Sequence, residues 1–453
     1  MTRIKTRAAT TEIPVAAREQ VRDCCCALKY CGPVYDPSGY AEIARCFVKE
    51  LDRSGVSLSL DVVSYDKGRP DLGTDHELFE SLRHREAVYR AKIINANPDC
   101  FRPQRETGCV NIGFTMFEAT RVPARWVHAC NEMDGILVPS SWNRTVFEQS
   151  GVTVPVRVAA PGINLPCGES PPQDTAGQTI SFRRLLENPL CVRGKIRLPR
   201  LFRCPAPRWQ PARISDYAES FKFYSVCQWT ERKNAHGLLR TYLSEFRKTD
   251  NVCLVLKTYR RNTTAAEQAR VAEEVVAVRD SMQLPDHAPV LLISGLLSQS
   301  QIRWLHQACD CFVLPHRAEG FGMPHLEAMS HGNPVIATGF SGNLEFMDAG
   351  NSILLPYQLR PVAGMGWSDV YDGDMMWADP DLGALRKAMR KMYAQRQYAL
   401  DLGRRAREHT RCNFGWSERV KQFLNAVDEI IAIAELREGL MDGGPSQTAA
   451  FAA

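Results

Sequence analysis

Short apolar runs, each stopped by proline, glycine or a polar cluster, alternate with helical patterns along most of this chain. Successive parallel strands need a crossover between them, usually a helix, so this order predicts an α/β architecture with parallel sheets. The first region reads as strand 25–30, helix 40–51, strands 58–63 and 110–114, helix 122–133, strand 135–138, helix 143–150 and strand 156–159. The second reads as strand 221–226, helix 235–246, strand 252–257, helix 265–281, strand 289–294, helix 299–307 and strand 309–315, with later helices at 382–393 and 416–433. At 453 residues and 44% hydrophobic content, two domains of ordinary size are expected. Residues 165–219 break the pattern with eight prolines, and from Arg183 to Arg213 nine basic residues face Glu187 alone. This stretch reads as a linker or insertion.

Glu319 and Glu327, with seven residues between them, stand astride the glycine-rich turn Gly320-Phe321-Gly322, after a strand that Pro315 stops. Pro324, Leu326, Ala328 and Met329 suit the first turns of a helix, with proline at its first position. Amides at a helix N-terminus are unpaired and carry the positive end of the dipole, so a diphosphate can lie there against backbone without side chains. Carboxylates beside that anion are better used as acceptors for sugar and ribose hydroxyls. The combination implies a nucleotide sugar. A plain alternative is a strand-turn-helix unit whose glutamates cap and solubilise the helix.

The segment, continued by Ser330 to Thr338 and Gly339 to Glu345, resembles the signature of the retaining GT-B glycosyltransferases, above all glycosyltransferase family 4 (glycosyl transferases group 1). The resemblance covers about 20–165 and 220–430 and implies the GT-B fold, two Rossmann-like domains facing a cleft. It implies an acceptor-side domain over 1–164, a donor-side domain over 220–415 and a last helix near 416–436 returning to the first domain; the insertion or linker over 165–219 is longer than the family usually has there, and the glycines, proline and alanines of 437–453 read as a disordered tail. It also implies that Glu319 hydrogen-bonds the donor sugar and Glu327 the ribose, while amides around Gly320, Phe321 and Gly322 meet the distal phosphate and sugar. The family chemistry is transfer of a hexose-type sugar from a nucleoside diphosphate, UDP or GDP, to an acceptor hydroxyl with retention and without a covalent enzyme nucleophile.

Other positions fall into place on this reading. Arg232 offers a forked contact and Lys233 a point contact to a leaving diphosphate; they resemble the family's donor-phosphate motif, and Lys257 is a weaker candidate for the same region. Gly295 and Leu296 resemble the nucleobase loop. Ser38, Gly39 and Tyr40 lie in a glycine-rich loop that resembles the one approaching donor phosphate and acceptor, against the alternative of a plain left-handed turn. Thr115 and Glu118 end a strand where α/β proteins place ligands, and they stand where many family members carry a histidine, which bears on how the acceptor is oriented. Ser140 and Ser141 read mainly as helix caps.

No cofactor or metal is expected. Asp372-Gly373-Asp374 and Asp379-Pro380-Asp381 fall in an irregular stretch rather than at a strand end, and Cys24-Cys25-Cys26 with Cys31 fits no ligand frame and competes with a strand. The sixteen cysteines are scattered, often in apolar strands, and read as reduced core thiols. With no run of 18 apolar residues and no apolar core in the first residues, a cytoplasmic protein is expected, with peripheral membrane contact left open. The acceptor is expected to be a glycan, a lipid-linked or another hydroxyl compound. Nucleic acid enters only through the basic insertion, as a solvated loop or as an anion-binding surface. Two rival readings remain at this point: a binding protein that keeps the fold without turnover, and a GT-B epimerase or phosphorylase.

Overall fold

The computed structural model describes residues 27–36, 38–65, 72–73, 75–164, 180–187, 208–365 and 368–442. The first domain is a six-stranded parallel sheet in the order β2-β1-β3-β4-β5-β6, built from β1 (Ala27–Gly32), β2 (Ser57–Val62), β3 (Ala91–Asn95), β4 (Val110–Phe114), β5 (Gly135–Val138) and β6 (Val156–Val158). Its helices are α1 (Gly39–Arg53), α2 (Asp75–Arg83), α3 (Phe101–Gln104), α4 (Ala124–Asn131) and α5 (Ser141–Gln149). The apolar runs of the sequence become strands buried on both faces, as parallel sheets require. The pattern missed β3 because Lys92 interrupts its apolar run. That ammonium is 3% exposed and is paired inside the domain with Asp61 at 2.8 Å and Glu106 at 2.7 Å.

The second domain has an eight-stranded sheet in the order β14-β13-β12-β9-β10-β11-β7-β8. Its parallel part comprises β9 (Phe221–Gln228), β10 (Val252–Tyr259), β11 (Val290–Ile293), β12 (Cys311–Leu314), β13 (Val335–Thr338) and β14 (Ile353–Leu355). Two antiparallel edge strands, β7 (Phe182–Leu185) and β8 (Trp209–Ala212), lie within 165–219, the stretch that reads as a linker or insertion, and extend the second sheet. Phe182 and Leu185 join the domain core, and the Arg183 guanidinium lies 5.3 Å from the Trp209 ring centroid. Arg183 and Arg184, which read as loop, are thus half-buried residues of a strand. Residues 165–179 and 188–207, with most of the basic run, lie outside the described residues, as do Cys24 to Cys26.

Helices α6 (Ala235–Glu245), α7 (Ala265–Met282), α8 (Gln299–Ala308), α9 (Met323–Ser330), α10 (Leu382–Ala394) and α11 (Arg396–Asn413) belong to this domain. The sequence reading passed over α11, although Ala399, Leu402, Gly403, Ala406 and Thr410 form a buried face at helical spacing. Helix α12 (Trp416–Asp442) returns to the first domain: Phe423 lies 4.9 Å from Phe47 between ring centroids, and Ile430 fills the space over Gly135. The helix backbone runs to Asp442, past the start of the expected tail, and 443–453 lie outside the described residues.

A second crossing is made by the excursion between β15 (Tyr357–Pro361) and β16 (Met376–Pro380). Tyr371 stacks on Phe117 of the first domain at 5.3 Å, and Arg121 and Arg125 pair with Asp372 and Asp369. Asp379 falls in β16 and Asp381 caps α10, so both late aspartate pairs have structural partners.

Candidate active site

Strands β9 to β13 all point the same way, so the loops after their C-terminal ends gather at one edge that faces the first domain. The loop after β9 brings Arg232 and Lys233, that after β11 brings Gly295 and Leu296, and that after β12 brings Glu319 to Gly322. Gly322 is the N-cap of α9 at φ +100°, a left-handed value that a side chain would strain. Met323 is the first helical residue and Pro324 the second, one position later than the sequence suggests. The N–H groups of Gly320, Phe321, Gly322 and Met323 have no acceptor within hydrogen-bonding distance among the described residues. They form a cluster of donors at the positive end of the helix dipole.

Glu319 is 4% exposed and takes both of its closest contacts from Lys233 Nζ, at 2.5 Å to Oε1 and 2.7 Å to Oε2. Arg232 reaches Glu319 Oε2 at 3.5 Å, Glu118 Oε1 of the first domain at 3.4 Å, and donates to the Ala318 carbonyl at 3.0 Å. Glu118 also accepts from the Tyr371 hydroxyl at 3.1 Å. Burial would raise the Glu319 carboxyl, but Lys233 and then Arg232 outweigh it and hold it well below the usual carboxylate range. The two cations expected to face phosphate are therefore part of a charge network with Glu118 and Glu319 that spans both domains. Beneath it lie His316 and His325, fully buried and 5.1 Å apart between ring centroids; burial pushes His325 down to about 4, so both are neutral.

The first-domain wall approaches closely. Ser140 Oγ and Asn143 Nδ2 both donate to the Gly320 carbonyl, at 3.0 and 2.9 Å, and a Cβ on Gly320 would come within 2.6 Å of Met116 Sδ. Ser140 caps α5 as expected, but it also ties the domains together. The Tyr40 hydroxyl lies 3.0 Å from Thr115 Oγ1 and donates to the Met116 carbonyl at 3.0 Å, so Tyr40 and Thr115 fix the strand end that bears Met116 and Glu118. Ser38 caps α1 through the Ala41 amide. Gly39 opens that helix with no positive φ, which removes the left-handed-turn alternative.

Glu327 faces a different neighbourhood. Its Oε2 lies 3.6 Å from His306 Nε2, and burial, reinforced by Glu42 of the first domain, raises its carboxyl to about 8. Glu42 in turn accepts from Gln299 at 2.9 Å across the cleft. Lys257 is buried in β10, its ammonium 5.0 Å from the Tyr259 ring centroid, and burial pulls it down to about 8. Gly295 is open on its Cβ side and Leu296 is 53% exposed. Among the described residues no hydrogen bond or ion pair links Lys257, Gly295 or Leu296 to the Glu319 network. The sequence reading assigned no role to Asn143, Tyr371, His306 or Ser341, whose hydroxyl oxygen accepts from the Glu319 amide at 2.8 Å. Asn143 alone left a trace, three residues after the capping Ser140, and Tyr371 comes from an irregular stretch that carries no pattern.

Two expected outcomes follow from this geometry. Gly342 donates its N–H to the Glu319 carbonyl at 2.9 Å, and a Cβ there would overlap the Gly320 carbonyl. Gly342→Ala should lower the melting temperature by several degrees, a loss of about 1–3 kcal/mol, whereas Gly39→Ala, with nothing within 4 Å, should melt as the wild type does. Equal melting curves would contradict the close approach. For Glu327, the folded carboxyl titrates above the unfolded one, so its contribution to stability is present at pH 4 and is lost as pH rises from 4.5 to about 8. Denaturant unfolding of Glu327→Gln should lack part of that decline, which is bounded by about 1.4 kcal/mol per pH unit; identical pH profiles would show that the carboxyl is not shifted.

The family described as glycosyl transferases group 1 matches residues 286–356, the segment that holds Gly295, Glu319 and Glu327. A D-inositol 3-phosphate glycosyltransferase of Salinispora tropica is 34% identical over 139 residues, which is 30% of this chain and 24% of that protein. The match thus spans about a quarter of that relative's length. Among solved structures, Anabaena HepE in complex with UDP and glucose aligns with a TM-score of 0.56 at 14% identity, covering 89% of this chain and 99% of that one. Sucrose-phosphate synthase of Thermosynechococcus elongatus aligns at 0.57 and 14% identity over 92% and 99% of the two chains. A glycosyltransferase of Rickettsia africae gives 0.58 at 11% identity over 89% and 98%. At such identities the structural likeness speaks to the fold. No helix among the described residues is long and apolar enough to cross a membrane. The chain has the GT-B fold, and its residues 286–356 match the family described as glycosyl transferases group 1.

Proposed function

We propose that this protein transfers a hexose-type sugar from a nucleoside diphosphate to an acceptor hydroxyl, with retention of configuration and without a metal ion. The observation that carries the reading is the cluster of unpartnered amides at the start of α9, beside the network in which Arg232 and Lys233 pair with Glu319. The amides and cations supply positive charge for a diphosphate. Glu319 and Glu327 supply acceptors for hydroxyl groups of sugar and ribose, and the Gly295 loop offers backbone to a base. Among nucleotides UDP is the first choice, because HepE, a protein of the same fold, is known in complex with it.

In the proposed reaction the acceptor oxygen bonds to the anomeric carbon as the bond from that carbon to the phosphate oxygen breaks. The acceptor proton passes to the departing phosphate oxygen, which gains the bonding electron pair. Glu319 orients the sugar and forms no covalent bond, while Arg232, Lys233 and the α9 amides stabilise the departing diphosphate. Glu118 and Thr115 stand on the acceptor side, tied to the donor side through Arg232.

The test is a thermal-shift panel of UDP, GDP and ADP with their glucose derivatives. A ligand that binds only the folded state stabilises it by about 2.7 kcal/mol at a hundredfold excess over Kd. One nucleotide series should raise the melting temperature; no shift from any of them contradicts the reading. Retention is then read by NMR from the anomeric configuration of the first-formed product, and metal independence from turnover in EDTA.

A further inference from the structure

Behind Glu327 runs a chain of hydrogen bonds whose directions are set by its own chemistry. Asn333 Nδ2 lies 2.6 Å from the His306 carbonyl and 2.7 Å from the Tyr224 hydroxyl. A carbonyl can only accept, so the amide nitrogen is on that side, and its second hydrogen goes to Tyr224. The tyrosine oxygen therefore accepts from Asn333, and its own proton is directed at His306 Nδ1, 2.7 Å away. Nδ1 is an acceptor, and the ring carries its single proton on Nε2. This Nε2–H has no hydrogen-bond partner among the described residues, and Glu327 Oε2 lies 3.6 Å from Nε2, just beyond hydrogen-bond distance. Tyr224 is fully buried and His306 1% exposed, so neither solvent nor a second tautomer competes; burial pushes the imidazole down to about 3 and keeps it neutral. His331 stacks on His306 at 5.0 Å and bonds the Glu327 carbonyl at 2.9 Å, fixing the backbone of the same residue.

A donor so oriented and left with one carboxylate to face is not explained by core packing, since a buried polar hydrogen without a partner costs about 1–3 kcal/mol. We infer that His306 is a positioning residue: the Asn333-Tyr224-His306 relay presents an N–H to the Glu327 carboxyl, which closes to a hydrogen bond when a nucleotide is bound and orients Glu327 to accept the ribose hydroxyls, so that the relay sets preference for ribonucleotides over deoxyribonucleotides. The inference rests on the proposed reading of Glu327 as the ribose acceptor.

The experiment measures dissociation constants of UDP, GDP and ADP and of their 2′-deoxy counterparts by calorimetry, for the wild type, His306→Phe and Tyr224→Phe. Tyr224→Phe keeps the buried ring and removes only the hydroxyl that locks the tautomer, so it tests the relay if His306→Phe folds poorly. The wild type should prefer the ribo form of its nucleotide by about tenfold. Both variants should bring that ratio toward one by weakening the ribo form while leaving the deoxy form unchanged. A ratio that persists in the folded Tyr224→Phe variant, or equal weakening of both forms, overturns the relay. A wild type that binds a nucleotide without preferring ribose overturns the role of Glu327. Failure to bind any of the six overturns the proposed function itself, and the two failures are thereby distinguished.

Discussion

Glu319→Gln is expected to lower turnover by about a hundredfold or more, the usual effect of removing one aligned polar contact to the reacting group, with the cooperative fold retained. The substitution keeps shape and an acceptor oxygen for Lys233 but loses the charge that holds both cations in place. Because Glu319 is proposed to orient the sugar rather than to bind the nucleotide, kcat should carry most of the loss while the Kd for the nucleoside diphosphate changes little. A variant that turns over normally would sink the assignment. One that loses nucleotide affinity with kcat unchanged would move Glu319 to the phosphate side of the site.

Lys233→Met is expected to have the largest effect on stability. It leaves a 4%-exposed carboxylate with Arg232 at 3.5 Å as its nearest cation, and breaking a buried pair from one side costs about 3–5 kcal/mol. The sign with pH follows from the depressed carboxyl. Its contribution is present above the unfolded value near 4.5 and is lost as pH falls, so wild type and variant should differ most near neutrality and converge in acid. Chemical denaturation at pH 7 and pH 4 tests this. A constant difference at both would mean that Lys233 acts through packing alone. Lys233→Arg should recover more stability than activity, because a planar fork replaces a point charge facing phosphate.

Much of this site was legible before the fold was known, for a physical reason. The turn after β12 needs Gly322 at positive φ and Gly320 against Met116, so its chemistry is written into consecutive residues. The parallel strands were legible because burial on both faces makes them apolar throughout. Where burial was achieved by pairing charge, as for Lys92 in β3, or where a strand carried two half-buried arginines, as in β7, hydropathy hid the element. Contacts between distant parts were not legible at all. Nothing near Glu118 in sequence announces Tyr371, 253 positions away, and nothing near Gly320 announces Asn143, 177 positions away. The charge network was anticipated in its members but not in its pairing: Arg232 and Lys233 were read as phosphate ligands, and the structure joins them to Glu118 and Glu319, so the same four groups also fasten the domains across the cleft.

The most direct test of the central claim is release of nucleoside diphosphate from UDP-, GDP- and ADP-glucose incubated with the protein in EDTA, before any acceptor is known. Slow release from one donor, abolished in Glu319→Gln, is the expected result. No release from any donor, by a protein that still binds the nucleotide, would contradict transfer and leave a binding protein of the same fold.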